Sequence, residues 1–189
     1  MSLKHAILGF LSYRPLSGYD LKKAFDRSVR HFWPANQSQI YRTLAELEEE
    51  HFVNKQIIER EERLDMKIYQ ITEQGLEELH NWLASPLPER DDREAFLIQV
   101  YFSGQLDDEK TLNLFRLKLK EMEDRLAVYE AVYEMIQSNP PGINDPRAIF
   151  LSTLTLEAGY INTSSIASWI RSAIERIENK DYKIQIGKS

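Results

Sequence analysis

The sequence predicts a mainly helical α+β chain in two parts, and three observations carry that expectation. Apolar residues recur at helical spacing from Leu3 to Leu47 and again from Phe96 to Ile177. Alternation replaces that spacing between Val53 and Ile71. A proline-punctuated stretch, Ser85-Pro-Leu-Pro88, followed by the charged run Glu89 to Arg93, separates the two helical runs. The expected organisation is a compact domain over 1–86, a helical domain over 87–180 and a tail over 181–189.

Leu3, Ile7, Leu8 and Leu11 mark a first helix that ends before Arg14-Pro15, because proline disfavours a helical residue ahead of it. Ser17-Gly-Tyr-Asp20 has the capping-box pattern with Asp in place of Glu, and it opens a second helix. Its inner stripe is expected to be Leu21, Ala24, Phe25, Val29 and Phe32, ended by Trp33-Pro34. Asn36 is the expected cap of a third helix running to His51. Ile40, Leu44 and Leu47 face inward on it, leaving Gln37, Ser38, Gln39, Tyr41, Arg42 and Thr43 on the outer face of its N-terminal half. Three short helices with a turn between the second and third form a helix-turn-helix. Val53, Ile57, Ile68 and Ile71 are expected on the inner face of two strands joined by the charged tip Glu59 to Asp65, a hairpin placed as a wing. Thr72 caps a fourth helix with Leu76, Leu79 and Leu83 inward.

The second part is helical throughout. Arg93 to Ser103 is read as one helix, stopped at Gly104, and Asp107 caps the next. In that next helix Leu112, Phe115, Leu119, Met122, Leu126, Tyr129, Tyr133 and Ile136 alternate gaps of three and four, a heptad seam that calls for a second long helix against it. Asn139-Pro-Pro-Gly142 turns the chain, and Asp145-Pro146 opens a last helix with the stripe Leu151, Leu154, Ala158, Ile161, then Ile166, Trp169, Ile170, Ala173 and Ile177. The seam from Leu112 to Tyr133, with Ile161, Ile166, Trp169 and Ile170, is the expected dimer interface.

Composition bounds the function. The 189 residues are 42% hydrophobic and 29% charged, enough to bury a core, and contain no cysteine. That excludes disulfides, thiolate zinc sites and cysteine nucleophiles, and it fits a cytoplasmic protein. The apolar run Ala6 to Leu11 is too short for a secretion signal, and none approaches membrane-spanning length. A net charge of −6 opposes nucleic acid as a global average. Residues 1–45, however, carry seven basic side chains against two acidic ones, before acid begins abruptly at Glu46. A basic segment on an acidic chain is the asymmetry of a local phosphate-binding face.

No catalytic constellation assembles. His5, His31, His51 and His80 share no metal-ligand spacing, and there is no glycine-rich phosphate loop, G-x-S-x-G or H-E-x-x-H. No enzyme activity, metal or cofactor is expected, and the acidic cluster Glu46 to Glu50 reads as a solvated helix face. Double-stranded DNA is the partner the residues favour. Backbone N–H groups at Ser17-Gly18-Tyr19 and at Asn36, Gln37, Ser38 and Gln39 offer phosphate anchors at helix N-termini, with Lys22 beside them. Gln39 and Arg42 suit base edges, since glutamine pairs bidentately with adenine and arginine with guanine. Lys55, Arg60, Arg63 and Lys67 place charge on the wing. Tyr19 and Tyr41 either face DNA or pack with the hydroxyl outward. Tyr101, Phe102, Tyr160 and Trp169 either line a pocket for a small aromatic effector or pack in a core. Two other classes stay open: a winged-helix module that binds protein instead of DNA, and an enzyme with an unfamiliar site.

Ser17-Gly-Tyr-Asp-Leu21, Trp33, Ser38-Gln-Ile-Tyr-Arg42, Leu44, Leu47-Glu48, and Lys67, Tyr69, Ile71-Thr72 followed by Gly75 resemble the winged-helix domain of the PadR family of transcriptional regulators. The helical half resembles the dimerisation module of the longer PadR-type subgroup, so the resemblance covers nearly the whole chain. It implies a homodimeric repressor on a palindromic operator, released in some members by a small aromatic effector. Two departures stand out. His51-Phe52-Val53 replaces the glycine that usually closes the recognition helix, which puts the usual C-cap in question. The wing also carries Glu59, Glu61, Glu62 and Asp65 beside its four bases.

Overall fold

The computed structural model describes residues 2–30, 32–58, 66–88, 94–138 and 145–183. The wing tip with Arg60 and Arg63, the charged run 89–93, the turn 139–144, His31 and the tail beyond 183 lie outside the described residues. The chain divides into two compact units, 1–90 and 91–189. Among the described residues no helix is long and apolar enough to cross a membrane.

The first unit runs α1 (Ser2–Tyr13), β1 (Leu16–Ser17), α2 (Gly18–Arg27), α3 (Gln37–Glu49), β2 (Val53–Ile58), β3 (Met66–Ile71) and α4 (Glu73–Ala84). Ile7, Leu8, Leu11, Leu21, Phe25, Ile40, Leu44 and Leu47 interlock from three helices in one core. The short strand β1 completes an antiparallel sheet of order β1-β3-β2, with Leu16 opposite Tyr69 and Ser17 opposite Ile68. Two residues carry no periodicity, so this third strand had no signal of its own.

Several face assignments, inward and outward, are corrected in this unit. α2 ends at Arg27, and the Arg30 N–H donates to the Phe25 carbonyl five residues back, a wider step than the helical one, so the helical register does not reach Phe32, which is 51% exposed. Thr43 is buried and not outward, since it completes the i, i+3, i+4, i+7 stripe with Ile40, Leu44 and Leu47. In the hairpin, Ile68 and Ile71 are three apart and so lie on opposite faces. Tyr69 and Val53 are the buried residues of the described hairpin, while Ile57, opposite Lys67, is exposed. On α4, Leu76 and Leu83 are exposed; the seated line is Gly75, Glu78, Leu79 and Trp82. The close approach at Gly75 sets that line, because a Cβ there would fall 2.2 Å from the Phe52 carbonyl oxygen. Trp82 then stacks on the buried His5 ring at 4.4 Å, and His5 Nε2 lies 3.2 Å from Glu78 Oε1.

The second unit comprises α5 (Ala95–Phe102), a 3-10 turn over Ser103–Gln105, α6 (Asp108–Ser138) and α7 (Pro146–Glu178). The α-helix ends at Phe102, one residue short of the expected Ser103, and the chain continues as a 3-10 turn through Gly104. Asp107 Oδ1 accepts from the Lys110 N–H, and Asp145 Oδ1 from the Arg147 N–H, capping the two long helices. Ion pairs Arg116–Glu178 and Glu123–Arg171 fix α6 and α7 as an antiparallel hairpin.

The heptad seam is spent mostly inside this hairpin. Phe115, Met122 and Tyr129 are buried, with Leu119 and Leu126 packed beside them; Leu112 and Ile136 are half-buried and Tyr133 is exposed. On α7 the buried positions are Leu156, Thr163, Ala167 and Ile170, with Gly159 half-buried in the same line. The expected stripe of Leu151, Leu154, Ala158, Ile161, Ile166 and Trp169 is therefore corrected: it lies on the exposed face, and only Ile170, Ala173 and Ile177 turn inward. The cause is size. Glycine, threonine and alanine let α6 approach closely, a selection that hydrophobicity alone does not rank.

Candidate nucleic-acid interface

The exposed half of α3 is held rigid at its first residue. Asn36 has extended backbone, its Oδ1 accepts from the Gln39 N–H at 2.9 Å, and Gln39 Oε1 accepts from the Asn36 N–H at 2.9 Å. This reciprocal box satisfies two orphan donors and leaves the N–H groups of Gln37 and Ser38 as the outward ones. Gln39, read from sequence as a base reader, is in the first place a cap: its carbonyl is engaged and only its amide nitrogen remains to donate. Arg42 stays 73% exposed, with Glu46 Oε1 at 4.0 Å as its ion-pair neighbour one turn on.

A second helix N-terminus stands beside the first. Ser17 Oγ accepts from the Asp20 N–H and donates to Asp20 Oδ2 at 2.6 Å. Ser17 and Gly18 are both buried, which corrects their reading as phosphate anchors; Ser17 caps the helix through the Asp20 N–H, and exposed Tyr19 is the residue of the three that faces outward. Tyr41 from α3 lies directly over Gly18, where a Cβ would sit 2.5 Å from Tyr41 Cε1. That contact couples the two N-termini and gives Gly18 a reason that sequence periodicity did not supply. Tyr19 is exposed, with Lys23 Nζ 4.3 Å from its ring centre, and Lys22 pairs with Asp26. Lys22, Arg30, Asn36 and Gln37 line a groove between α2 and α3, and Arg30 is a cation the sequence offered only as part of a total.

The wing contributes differently from expectation. Lys55 reaches Glu48 on α3 at 2.6 Å, and this hydrogen-bonded pairing raises the lysine above its ordinary range. Opposite it on β3, burial raises Tyr69. Lys55 therefore ties the wing to α3 and is not a free charge for phosphate, whereas Lys67 remains exposed. The acidic run is similarly employed, since Glu50 pairs with Lys4 at 2.8 Å. At the end of α3, His51 adopts φ 61°; its N–H donates to the Glu48 carbonyl and the Phe52 N–H to the Leu47 carbonyl. The paired bonds are those of a Schellman cap, so the geometry usually closed by glycine is kept, with histidine in the left-handed position.

The four aromatics offered for an effector do not share a pocket. Tyr101 and Phe102 meet edge to face at 4.9 Å and are both exposed, Trp169 contacts Phe96 and Phe115, and Tyr160 lies with Tyr129 and Tyr133.

Residues 7–81 match the transcriptional regulator PadR-like family, and residues 93–178 match the family described as virulence activator alpha C-term. The chain is 30% identical to the negative transcriptional regulator PadR of Bacillus subtilis (strain 168), over 93% of this chain and 97% of that one. The chain belongs to the PadR-like family. It is a DNA-binding transcriptional regulator with a winged-helix domain and a helical C-terminal domain. The crystal structure of Bacillus subtilis PadR in complex with operator DNA is similar to this PadR-like chain at a TM-score of 0.82, with 30% identity, covering 94% of this chain and 99% of that one. The same Bacillus protein in complex with p-coumaric acid gives a TM-score of 0.77 at 30% identity, over 93% and 95% of the two chains.

Proposed function

We propose that this PadR-like regulator is a homodimeric repressor whose two α3 helices enter major grooves of a palindromic operator about one helical turn apart. The observation that carries the reading is the exposed face formed where α2 and α3 begin together: Tyr19, Gln37, Ser38, Tyr41 and Arg42 share it, with Tyr41 resting on the buried Gly18. Backbone N–H groups there suit phosphate, and Arg42 suits a guanine edge. The acidic remainder keeps the chain from clinging to nucleic acid elsewhere.

A dimer is supported by the outward stripe Leu151, Leu154, Ile161 and Trp169, an apolar face on a helix already buried on its other side. Release by a small aromatic effector is supported by the p-coumaric acid complex of the Bacillus relative. Such a ligand works only by binding the operator-competent and incompetent dimers with different affinity.

The test is an electrophoretic shift on the DNA upstream of the chain's own gene. Arg42→Ala is expected to weaken binding by about tenfold to a hundredfold, the range for losing one bidentate contact. Affinity should fall steeply with salt. Equal binding by wild type and variant across several salt concentrations removes α3 from the reading.

A further inference from the structure

The α6–α7 hairpin holds a recess of its own. Tyr129, Tyr133 and Tyr160 line a groove of about 400 Å³ between α6 and α7, together with Leu156, Glu130 and Glu157. Its volume is that of a small-molecule site. The recess is set by sequence at some cost in helix propensity: Gly159 sits in the middle of α7, where a Cβ would fall 2.9 Å from the Tyr129 hydroxyl oxygen. A mid-helix glycine costs about 1 kcal/mol against alanine, and here it seats the Tyr129 ring.

The chemistry of the lining selects the ligand. Tyr129, Tyr133 and Tyr160 bring three phenol rings to the lining, and aromatic rings attract cations and recur in quaternary-ammonium sites. Glu130 and Glu157 are exposed at the groove and enter no ion pair among the described residues, and no lysine, arginine or histidine lines it. Gln137 Nε2 donates to the Tyr133 hydroxyl at 2.8 Å, orienting that ring from outside. A carboxylate-bearing ligand would meet two like charges with no cation to offset them. We propose that this groove binds an organic cation with an apolar body, of the quaternary ammonium or protonated amine class. The proposal does not rest on the operator reading, because binding is measured on the free protein.

Isothermal titration of the full chain with benzyltrimethylammonium tests it, with p-coumarate as the anionic probe. The wild type is expected to bind the cation saturably. The double variant Glu130→Gln/Glu157→Gln should bind it at least about tenfold more weakly, on the scale of a desolvated cation–π site losing its counter-charges. Both side chains are exposed, so the variant should keep its melting temperature, and Gly159→Ala should weaken the cation independently by displacing Tyr129. Affinity for p-coumarate should not fall in the double variant. Three results would overturn the proposal: no saturable cation binding, cation binding equal in wild type and double variant, or displacement of the cation by p-coumarate. A groove covered by a second copy of the chain gives the first of these.

Discussion

In the unit spanning 1–90, twelve buried apolar side chains from helices and strands close on one another in a single cluster. In the described residues of 91–189 the corresponding cluster holds four, and Leu117, Val128, Phe150, Ile161 and Trp169 are left exposed on its long helices. A domain stabilises itself by packing one layer on another, and a hairpin with one short helix lacks a complete second layer. The first unit can therefore hold a binding face rigid by itself, whereas the second has apolar surface left over for something else to cover.

The largest effect should come from attacking the self-sufficient side. Phe25→Ala removes a fully buried ring and is expected to cost about 3–5 kcal/mol, with loss of operator binding through unfolding of the first unit. Urea denaturation followed by circular dichroism measures it; a cost below about 1 kcal/mol would mean that this core is not the closed cluster described. On the other side, Ile161→Glu, in the outward stripe, should leave the hairpin folded but weaken self-association by at least about 2 kcal/mol, the scale of an interface hot spot. Light scattering at micromolar concentration is expected to report a dimer for the wild type and a monomer for the variant. An unchanged dimer would place the covered face elsewhere.

Two smaller changes refine how the first unit is held. His51→Gly relieves a non-glycine residue at φ 61° and is expected to raise stability by about 1 kcal/mol, read as a higher urea midpoint. A lower midpoint would show that the histidine side chain contributes more than its backbone costs. Glu78 gives the smallest effect. Its hydrogen bond with His5, and secondarily the Lys4 charge, hold its carboxyl below the ordinary range against the opposing influence of burial. A carboxylate lowered in the folded state adds stability that is complete above its unfolded value and is lost as pH falls through the folded one. With 35% of the side chain exposed, solvent screening keeps this well under about 1 kcal/mol. Glu78→Gln should accordingly narrow the difference in urea midpoint between neutral and acidic pH, and an unchanged difference would remove the pairing from the account.

Much of the binding unit was legible because its signals are local. Ser17, Asn36, Thr72, Asp107 and Asp145 each cap the helix that their spacing announced, since a cap is a contact within three residues. The faces were legible only where one partner covered them. Leu76, Leu83, Ile57 and Phe32 are apolar at plausible spacing, yet all four are exposed, and hydrophobicity does not say how far the neighbouring layer extends. The candidate site shows the same division: the polar start of α3 is a property of its own sequence, but Lys55 became a strut when Glu48 came within 2.6 Å of it.

The sequence by itself determined the two-part helical plan, the helix-turn-helix with its wing, the capped N-terminus of α3 and the exposed Arg42, because periodicity and capping act over one or two turns. Tertiary structure alone decided that β1 joins the sheet, that Tyr41 rests on Gly18, that α7 turns its small residues inward and its large ones out, and that three tyrosines meet between α6 and α7. Those outcomes depend on how closely two backbones approach, which is set by the absence of side-chain atoms at Gly18, Gly75 and Gly159, and an absence has no hydrophobic signal to read.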